Sequence, residues 1–594
     1  MSIRHKYVPP SVFVTGATHT LKDGIRSSHR KGIRRRIPNC SHILSSLAGY
    51  LRILNMSRFL LPCHPTLLRE DRFDLVGSED LQVPFWDILT AILVRLGNAV
   101  NNVFSLIDVL ETIKVCLRGP TSRDFRTDNT DHEFLREYMS SHFGDSSRKS
   151  HSFFTKTWPL IVQLALEMPE LFPNGSLPCL SSETENSTAV FSRRQIACLV
   201  VHQFLCSLPP PPWHTQSFID LGIWYSSVAA SSHRAAMHAY LTALFTYFDR
   251  IAASDPDNGL LSFRVDDWPI IFTLKTIDDE DVADVANLSE NCNFCALNFV
   301  QLPEPTISPG FLALESGACV IAANKSVGLG PSATQEEVQV GSTPESYPVS
   351  LLIQPLNDRQ VLVCRGAEAM VSIRGYGAEA WLEKVLEPDY VGRRQLTASD
   401  IVSENTVNPS IFSKWQRRTM LFMDALQFDF DGPSGGTGTK LPDLLPGHLS
   451  REALKAYNAF SSGSLISSIL SGLPSDSARV PRKGYEIIAT GLWGCGAFGG
   501  NNQIKSTIQW CAASLAEVPV LQFICSSEEQ HLFAADFKNF ADRLSGFDKA
   551  PSVRDVFDTL LGLEREMTDN GHVGIKEDGI FDYCLQAISE KLGH

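Results

Sequence analysis

Three features that would assign the chain to a common class of protein are absent from its 594 residues. No apolar run approaches the about 20 residues that a membrane-spanning helix needs. No glycine-rich segment ends in Gly-Lys-Ser or Gly-Lys-Thr, which excludes a P-loop nucleotide site. The net charge is −14, so the broad basic surface of a general nucleic-acid binder is not expected. A local phosphate pocket is still compatible with this charge, because backbone N–H groups can supply the positive potential.

The 14 cysteines show no repeating framework. A single CxxC pair, Cys292 and Cys295, has no second pair to complete the about four ligands of a structural zinc site. We therefore predict reduced thiols, as in a cytosolic or nuclear protein, with a zinc site as the alternative.

Residues 1–55 differ in composition from the rest of the chain. They contain one acidic residue, Asp23, and a basic cluster at 29–36. Three interpretations are open: a disordered tail or an extension before Met56, a nuclear-import signal, or a mitochondrial transit segment.

Residues 56–260 show the spacing of amphipathic helices. Apolar positions recur with helical period in three segments, which begin at Phe85, Phe191 and Ala235. Ser192 is expected to be the N-cap of the second helix. The run 208–212 contains four consecutive prolines and must interrupt a helix. Because strand-like alternation is rare here, we predict a helical accessory domain over 56–260.

Residues 261–594 alternate between strand-like and helical segments. Short runs rich in β-branched residues predict strands at 318–322, 350–353, 360–364, 419–423, 485–489 and 519–524. Helical runs follow at 504–516 and 528–543, and the Gly/Ser/Pro-rich stretch 431–440 is predicted to be a loop. Strands that alternate with helices favour an α/β sheet.

One segment whose residues could take part in chemistry runs from Ala323 to Glu337 after a predicted strand. We call its part from Asn324 onward the 324–337 segment. Its glycines, Gly328 and Gly330, allow a backbone to approach a ligand closely. It ends in the adjacent carboxylates Glu336 and Glu337. Adjacent acids repel each other, and one of them can keep a raised pKa that suits general acid catalysis. A solvated pair of acids is the ordinary alternative.

A second segment, residues 491–500, places five glycines between a predicted strand and a predicted helix. We call it the 491–500 loop. Its backbone N–H groups at the positive end of a helix suit a diphosphate. Trp493 and Phe498 interrupt the pattern of a dinucleotide-binding fingerprint. A tight strand-to-helix turn is the structural alternative.

The 491–500 loop, with Trp-Gly-Cys-Gly-Ala-Phe-Gly-Gly at its core, resembles the diphosphate loop of poly(ADP-ribose) glycohydrolases. Gln335-Glu336-Glu337 resembles the Gln-Glu-Glu signature of that family. Further likenesses, in family order, lie at 195–197, 204–206, 247–250, 323–325, 374–379 and 423–428. The resemblance spans about residue 57 to the C-terminus.

The resemblance implies a macrodomain-like three-layer α/β/α sandwich with a mixed sheet, preceded by the helical accessory domain. It implies that Glu337 is the catalytic acid/base and that Glu336 holds the ribose hydroxyls. Asn324 and Gln335 would bind ribose, and Tyr376 would contact the adenosine end. The diphosphate and its ribose would be held by Leu492, Trp493, Gly494, Cys495, Gly496, Ala497 and Phe498.

The resemblance implies no cofactor and no metal. It implies poly(ADP-ribose) and ADP-ribosylated proteins as partners, with mainly exo cleavage that releases ADP-ribose. We expect a monomer without sequence-specific nucleic-acid or membrane binding. We expect it in the nucleus, the cytoplasm or both, with mitochondrial targeting as a further interpretation of the basic N-terminus.

The sequence departs from the family pattern at several points. Leu329 replaces the middle of three consecutive glycines, and only residues 331–334 separate that triplet from Gln335. Ile321 stands where the animal enzymes carry an Asp, and Leu492 where an Asn is typical. Cys525 replaces an aromatic residue that packs on adenine. These departures support one alternative, a macrodomain that binds ADP-ribose or its polymer with little or no cleavage. A hydrolase that removes single ADP-ribose units from proteins is a second alternative, and a purely structural role a third.

Overall fold

The computed structural model of the protein describes residues 58–117, 131–143, 152–181, 186–213, 218–253, 269–279, 282, 292–302, 317–387, 401–403, 406–407, 418–428, 441–471, 484–570 and 574–592. The basic segment 1–55 and the loop predicted at 431–440 lie outside these residues. Asn55–His594 form one compact unit.

The α-helices of the described residues fall into two groups along the chain. Those before residue 260 are α1 (Phe85–Arg95), α2 (Val103–Leu117), α3 (Glu133–His142), α4 (Trp158–Leu166), α5 (Met168–Leu171), α6 (Arg193–Phe204) and α7 (Ser227–Ala253). The later ones are α8 (Gln335–Gly341), α9 (Val349–Leu352), α10 (His448–Phe460), α11 (Gly463–Ser471), α12 (Asn502–Leu515), α13 (Glu528–Ser545), α14 (Val553–Asn570) and α15 (Ile580–Leu592).

The strands form one large sheet and several small ribbons. In chain order they are β1 (Arg58–Leu60), β2 (Leu68–Arg69), β3 (Val83–Pro84), β4 (Ser176–Pro178), β5 (Ser187–Phe191), β6 (Ile270–Thr276), β7 (Ala296–Gln301), β8 (Ala318–Ala323), β9 (Gln360–Arg365), β10 (Val371–Arg374), β11 (Trp381–Val385), β12 (Ile401–Ser403), β13 (Thr406–Val407), β14 (Thr419–Asp424), β15 (Ile487–Thr490) and β16 (Val520–Cys525).

The large sheet has eight strands in the order β5-β6-β9-β14-β8-β15-β16-β7. Strands β14, β8, β15, β16 and β7 pair in parallel, whereas β5, β6, β9 and β14 pair antiparallel. The sheet is therefore mixed, as the family resemblance implied. The carboxyl ends of β14, β8, β15 and β16 meet at one edge, where ligand sites of α/β sheets form.

Helices cover both faces of the sheet because successive side chains of a strand point to opposite sides. On one face, Ile321, Leu362 and Phe422 share a core with residues of α6 and α7. On the other face, Val320 and Leu421 pack in a second core with residues of α10 and α12–α15. The α/β/α sandwich with a helical region before it is confirmed.

Two local predictions were wrong. Residues 350–353 were predicted as a strand, but Val349–Leu352 forms the short buried helix α9. A run this short has no periodicity that would separate a helix from a strand. Conversely, β5 lies in the region predicted to be helical, and it forms one edge of the large sheet. The domain boundary at 260 stays a prediction.

Two predicted features before β6 are confirmed. Ser192 caps α6, and its hydroxyl and the Gln195 side chain form a reciprocal capping box. The proline run at 208–212 is non-helical and follows α6. No helix in the described part of the chain is both long enough and apolar enough to span a membrane.

Candidate active site

Glu337 is fixed at the first turn of α8 by a capping box. The Glu337 carboxylate accepts the Thr334 N–H at 3.0 Å, and the Thr334 hydroxyl accepts the Glu337 N–H at 3.5 Å. This reciprocal pair holds the Glu337 side chain back over the start of the helix. A capping glutamate is usually solvated, but Glu337 is half-buried.

Gly330 provides the space that the Glu337 side chain occupies. A Cβ atom at position 330 would overlap Oε1 of Glu337. The carbonyl of Gly330 accepts a hydrogen bond at 3.0 Å from Nε1 of Trp224, which lies in the 3₁₀ turn before α7. Leu329, which replaces a family glycine, is 6% exposed and packs into the core. The shortened glycine segment is therefore held by the helical region.

Glu336 ties the two ends of the glycine segment together. It is 5% exposed, and its two oxygens accept the backbone N–H groups of Asn324 at 2.7 Å and Gly328 at 3.0 Å. These contacts point to a loop-holding role in addition to the predicted contact with ribose hydroxyls. Glu336 also lines the cavity described below.

Gln335 anchors the start of α8 to strand β8. Its side-chain oxygen accepts the Ala322 N–H at 2.7 Å, and its amide nitrogen donates to the Val320 carbonyl at 3.0 Å. Asn324 follows β8, is exposed and accepts the Ser326 N–H through Oδ1 at 3.0 Å. Of these two predicted ribose ligands, Asn324 presents the more accessible side chain.

Both carboxyl groups are shifted toward the protonated form. Burial raises the pKa of Glu336 to about 8, although N–H donation from Asn324 and Gly328 opposes the shift. Burial also raises the pKa of Glu337, against the hydrogen bonds from Thr334. A carboxyl group that keeps its proton near neutral pH suits general acid catalysis.

The 491–500 loop runs from β15 to α12 with a shape that requires glycine. Gly494 has φ 76° and Gly499 has φ 70°, in the left-handed region that glycine enters without strain. A Cβ at Gly494 would lie 2.7 Å from Cβ of Ala425, and one at Gly500 would lie 2.7 Å from Cε of Lys505. Close packing behind the loop therefore excludes side chains at these positions.

Within the described residues, the backbone N–H groups of Gly494, Gly496, Ala497 and Phe498 have no acceptor. All four residues line the same cavity. The helix α12 begins directly after the loop with Asn501 as its N-cap, so its positive end also lies there. Unpaired N–H groups at a helix start form an anion site suited to a diphosphate.

One cavity of about 590 Å³ joins the two segments, a size typical of a small-ligand site. It is lined by every residue that the sequence predicted for the site: Asn324, Gln335, Glu336, Glu337, Tyr376, Leu492, Trp493, Gly494, Cys495, Gly496, Ala497 and Phe498.

Tyr376 stands between the two segments. It is 46% exposed, so it is not a core residue at a strand end. Its hydroxyl lies 3.8 Å from the position that a Cβ of Gly496 would take. Burial raises the pKa of Tyr376, and the charge of Glu337 raises it further. Tyr376 is therefore placed to contact a ligand that reaches from Glu337 to the 491–500 loop.

Some residues singled out in the sequence lie away from the cavity. Cys525 is 3% exposed and packs in the core, while Ile524, Ser526 and Ser527 line the cavity beside it. Strand alternation explains this, because neighbouring residues of β16 face opposite sides. Ile321 is fully buried in the other core.

The CxxC thiols, Cys292 and Cys295, are free. Among the described residues, no group of three or more His, Cys, Asp or Glu side chains is arranged to hold a metal ion.

Several residues of the site were missed by the sequence analysis. Trp224 bonds to the glycine segment, and Lys505 lies behind the 491–500 loop. Both residues lie in helical segments, where the spacing of the apolar residues gives no sign of a polar contact with the site. Glu529 and Gln530, at the start of α13, line the cavity. The sequence offered one sign that these two residues belong to the site, which is their position after β16, beside the predicted glycine loop.

Comparison with known protein families agrees with this architecture. Residues 309–532 match the family described as poly(ADP-ribose) glycohydrolase, macro domain fold. Residues 146–264 match the helical domain of poly(ADP-ribose) glycohydrolase. The two matches together cover more than half of the chain. The chain belongs to the poly(ADP-ribose) glycohydrolase family.

The similar curated proteins carry the family name. Poly(ADP-ribose) glycohydrolase 1 of Caenorhabditis elegans is 27% identical over 371 residues, which are 61% of this chain and 38% of that protein. Poly(ADP-ribose) glycohydrolase 1 of Arabidopsis thaliana is 24% identical over 434 residues, or 63% of this chain and 72% of that protein. Poly(ADP-ribose) glycohydrolase 2 of Caenorhabditis elegans is 25% identical over 350 residues, or 57% of each. The match thus spans well under half of the first of these relatives.

Proposed function

We propose that this protein hydrolyses the ribose–ribose O-glycosidic bonds of poly(ADP-ribose). The observation that carries the proposal is one cavity with Glu337 at one side and four unpaired N–H groups of the 491–500 loop at another. A ligand with a diphosphate next to a glycosidic ribose satisfies both features at once. The family membership supports the same substrate.

In the proposed reaction Glu337 acts first as an acid and then as a base. Its proton passes to the 2′ oxygen of the departing ribose as the bond from that oxygen to the anomeric carbon breaks. A water molecule then adds to the anomeric carbon and gives its proton to the Glu337 carboxylate. The raised pKa of Glu337 suits the first step, since the protonated form must be present. Glu337 is thereby protonated again after each cleavage.

The remaining residues would bind and orient the substrate. The 491–500 loop would hold the diphosphate, Asn324 the ribose, and Tyr376 the adenosine end. Cleavage would be mainly exo, with release of ADP-ribose, if the adenosine end is enclosed beside Glu529 and Gln530. ADP-ribosylated proteins are the proposed partners, and we propose a monomer located in the nucleus, the cytoplasm or both.

The test is to incubate the purified protein with poly(ADP-ribose) and to chromatograph the products. Glu337→Gln should abolish release of ADP-ribose, while Glu590→Gln, an exposed carboxylate on α15, should leave it unchanged. Intact polymer with tight ADP-ribose binding by the wild type would show a binding module instead. Release of single ADP-ribose units from modified proteins, without polymer cleavage, would show the other class of hydrolase.

A further inference from the structure

A chain of buried charges lies directly behind the cavity and includes Lys505, on the first turn of α12. Lys505 is 0% exposed. Its Nζ donates to Glu452 at 2.6 Å and lies 3.4 Å from Asp443. The ammonium also lies 5.1 Å from the ring centroid of Trp493 and 5.6 Å from that of Phe428. Both acidic partners are buried as well, so Lys505 is held in a closed charge network.

The side chain of Lys505 passes under the 491–500 loop at contact distance. A Cβ at Gly500 would lie 2.7 Å from Cε of Lys505, and one at Gly494 would lie 3.4 Å from both its Cε and its Nζ. The two glycines therefore leave room for the lysine as well as for the turn. The loop with the unpaired N–H groups rests on this side chain.

The two carboxylates that Lys505 contacts each accept a hydrogen bond from a neighbouring backbone N–H group. Asp443 accepts the Asn501 N–H at 2.7 Å, at the end of the 491–500 loop. Glu452 accepts the Leu426 N–H at 2.9 Å, in the loop after β14. Ala425, next to Leu426, contacts Gly494 and lines the cavity. One ammonium thus links the two loops that form the floor of the diphosphate site.

Stability alone gives little reason for a lysine at this position. A buried ion pair is often no more stabilising than apolar residues of the same volume, and the aromatic rings beside Lys505 would accommodate an apolar chain. An apolar side chain would not attract the carboxylates of Asp443 and Glu452. It would therefore not hold the two loops whose backbone N–H groups donate to these carboxylates.

We propose that Lys505 is a positioning residue for diphosphate binding: it draws the Asp443 and Glu452 carboxylates together and so fixes the 491–500 loop with its N–H groups toward the cavity. This inference rests on the proposed function for the identity of the ligand. Lys505 does not touch the substrate, and its effect is on binding through the loop.

Lys455 provides a matched control within the same network. It is also 0% exposed, and its Nζ donates to Asp424 at 2.7 Å and to the Gln360 carbonyl at 2.7 Å. It lies on α10, and within the described part of the chain its ammonium pairs with Asp424 rather than with Asp443 or Glu452. If buried lysines only stabilise the fold, substitution at the two positions should have the same effect on ADP-ribose binding and on hydrogen exchange in the loop.

The experiment compares Lys505→Met with Lys455→Met in the full-length protein. Kd for ADP-ribose is measured by calorimetry, and amide hydrogen exchange is followed in peptides that cover 491–501. Lys505→Met should raise Kd about 10-fold or more, as expected for loss of hydrogen bonds to charged groups, and should speed exchange in that loop. Lys455→Met should lower the melting temperature without either effect.

Equal effects of the two substitutions, or an unchanged Kd and unchanged exchange in Lys505→Met, would overturn the proposal. If Lys505→Met does not fold, Asp443→Asn serves in its place, because Asn can still accept the Asn501 N–H while it loses the charge that Lys505 attracts. That variant should also bind ADP-ribose more weakly and exchange faster at 491–501. If the wild-type protein binds no ADP-ribose, the proposed function is refuted. Amide hydrogen exchange at 491–501 still tests the positioning role of Lys505 separately.

Discussion

The indole nitrogen of Trp224 donates a hydrogen bond to the carbonyl of Gly330 at 3.0 Å. Trp224 belongs to the helical region, and Gly330 makes room for the carboxylate of Glu337. The Trp224 ring is completely buried and packs 4.9 Å from the ring centroid of Tyr240. A residue outside the macrodomain-like part therefore helps to set the position of the proposed acid/base.

Trp224→Phe tests this link. The substitution keeps an aromatic ring but removes the donor, which leaves the buried Gly330 carbonyl unpaired. One such hydrogen bond contributes about 1 kcal/mol, so kcat for polymer cleavage should fall about five- to tenfold. Kd for ADP-ribose should change little. Trp86→Phe, on α1, is the control, and an unchanged kcat in Trp224→Phe would show that the bond has no catalytic effect.

Gly330→Ala should remove activity more completely. The added methyl group would overlap Oε1 of Glu337 and must displace the carboxylate or the segment. A displacement of about 1 Å can cost about 100-fold in rate, and steady-state kinetics would measure it. Gly562→Ala is the matched control, because a Cβ there meets no atom within 4 Å and should leave cleavage unchanged. Comparable kcat values for the two variants would contradict the assigned position of Glu337.

The pH dependence of cleavage should carry the signature of a carboxyl group with a raised pKa. The acid form of Glu337 is required, and it is lost as pH rises through its pKa, so kcat/KM should fall on the alkaline side. Burial raises the pKa of Glu337, which moves this fall above the ordinary glutamate range of about 4.3.

His233, at a kink in α7, lowers the pKa of Glu337 by its charge. Removal of this charge should raise that pKa. His233→Asn should therefore shift the alkaline fall of kcat/KM to higher pH, whereas His64→Asn should not. Profiles measured from about pH 4 to pH 9 bracket the titration of a general acid of this kind. A shift to lower pH would contradict the electrostatic relationship.

A buried ion pair joins the helical region to the sheet side of the molecule. Arg193 on α6 pairs with Glu345, and it also donates to the Gly366 carbonyl at 2.7 Å. Arg193→Met should lower the free energy of unfolding by about 3–5 kcal/mol, because it leaves a buried carboxylate without its partner. Denaturant unfolding would measure the change. Addition of Glu345→Gln to that variant should recover part of the loss, and a further decrease would contradict the explanation.

The sequence predicted the fold class and the residues that line one cavity, whereas the roles of those residues stay predictions. The 491–500 loop could be identified because a glycine-rich strand-to-helix turn is a local motif, and Glu337 and Tyr376 because the residues around them resemble a family pattern. The segments that follow β8 and β15 meet because these neighbouring strands run parallel and their carboxyl ends share an edge of the sheet.

The remaining features depend on contacts between distant segments. Trp224 and Lys505 have ordinary helical surroundings in the sequence, and only the packing of the 3₁₀ turn before α7 and of α12 against the two loops gives them a role. Strand β5 was missed because its five residues become a strand through pairing with β6. The helix at Val349–Leu352 was mistaken for a strand because four buried residues are too few to show a period.

The shared core described above has a consequence for the history of this protein. Ile321, Leu362 and Phe422 of the sheet share one core with residues of α6 and α7 as well as with residues of α8 and α9. A gene fragment that encoded only residues 261–594 would lack α6 and α7 and would leave part of this apolar face uncovered, prone to aggregation or to capture by another surface. The macrodomain-like half could therefore be transferred to another protein only together with those helices, or onto a scaffold that already offered a substitute for them. The sequence pattern changes near residue 260, but residues on both sides of that position share one core.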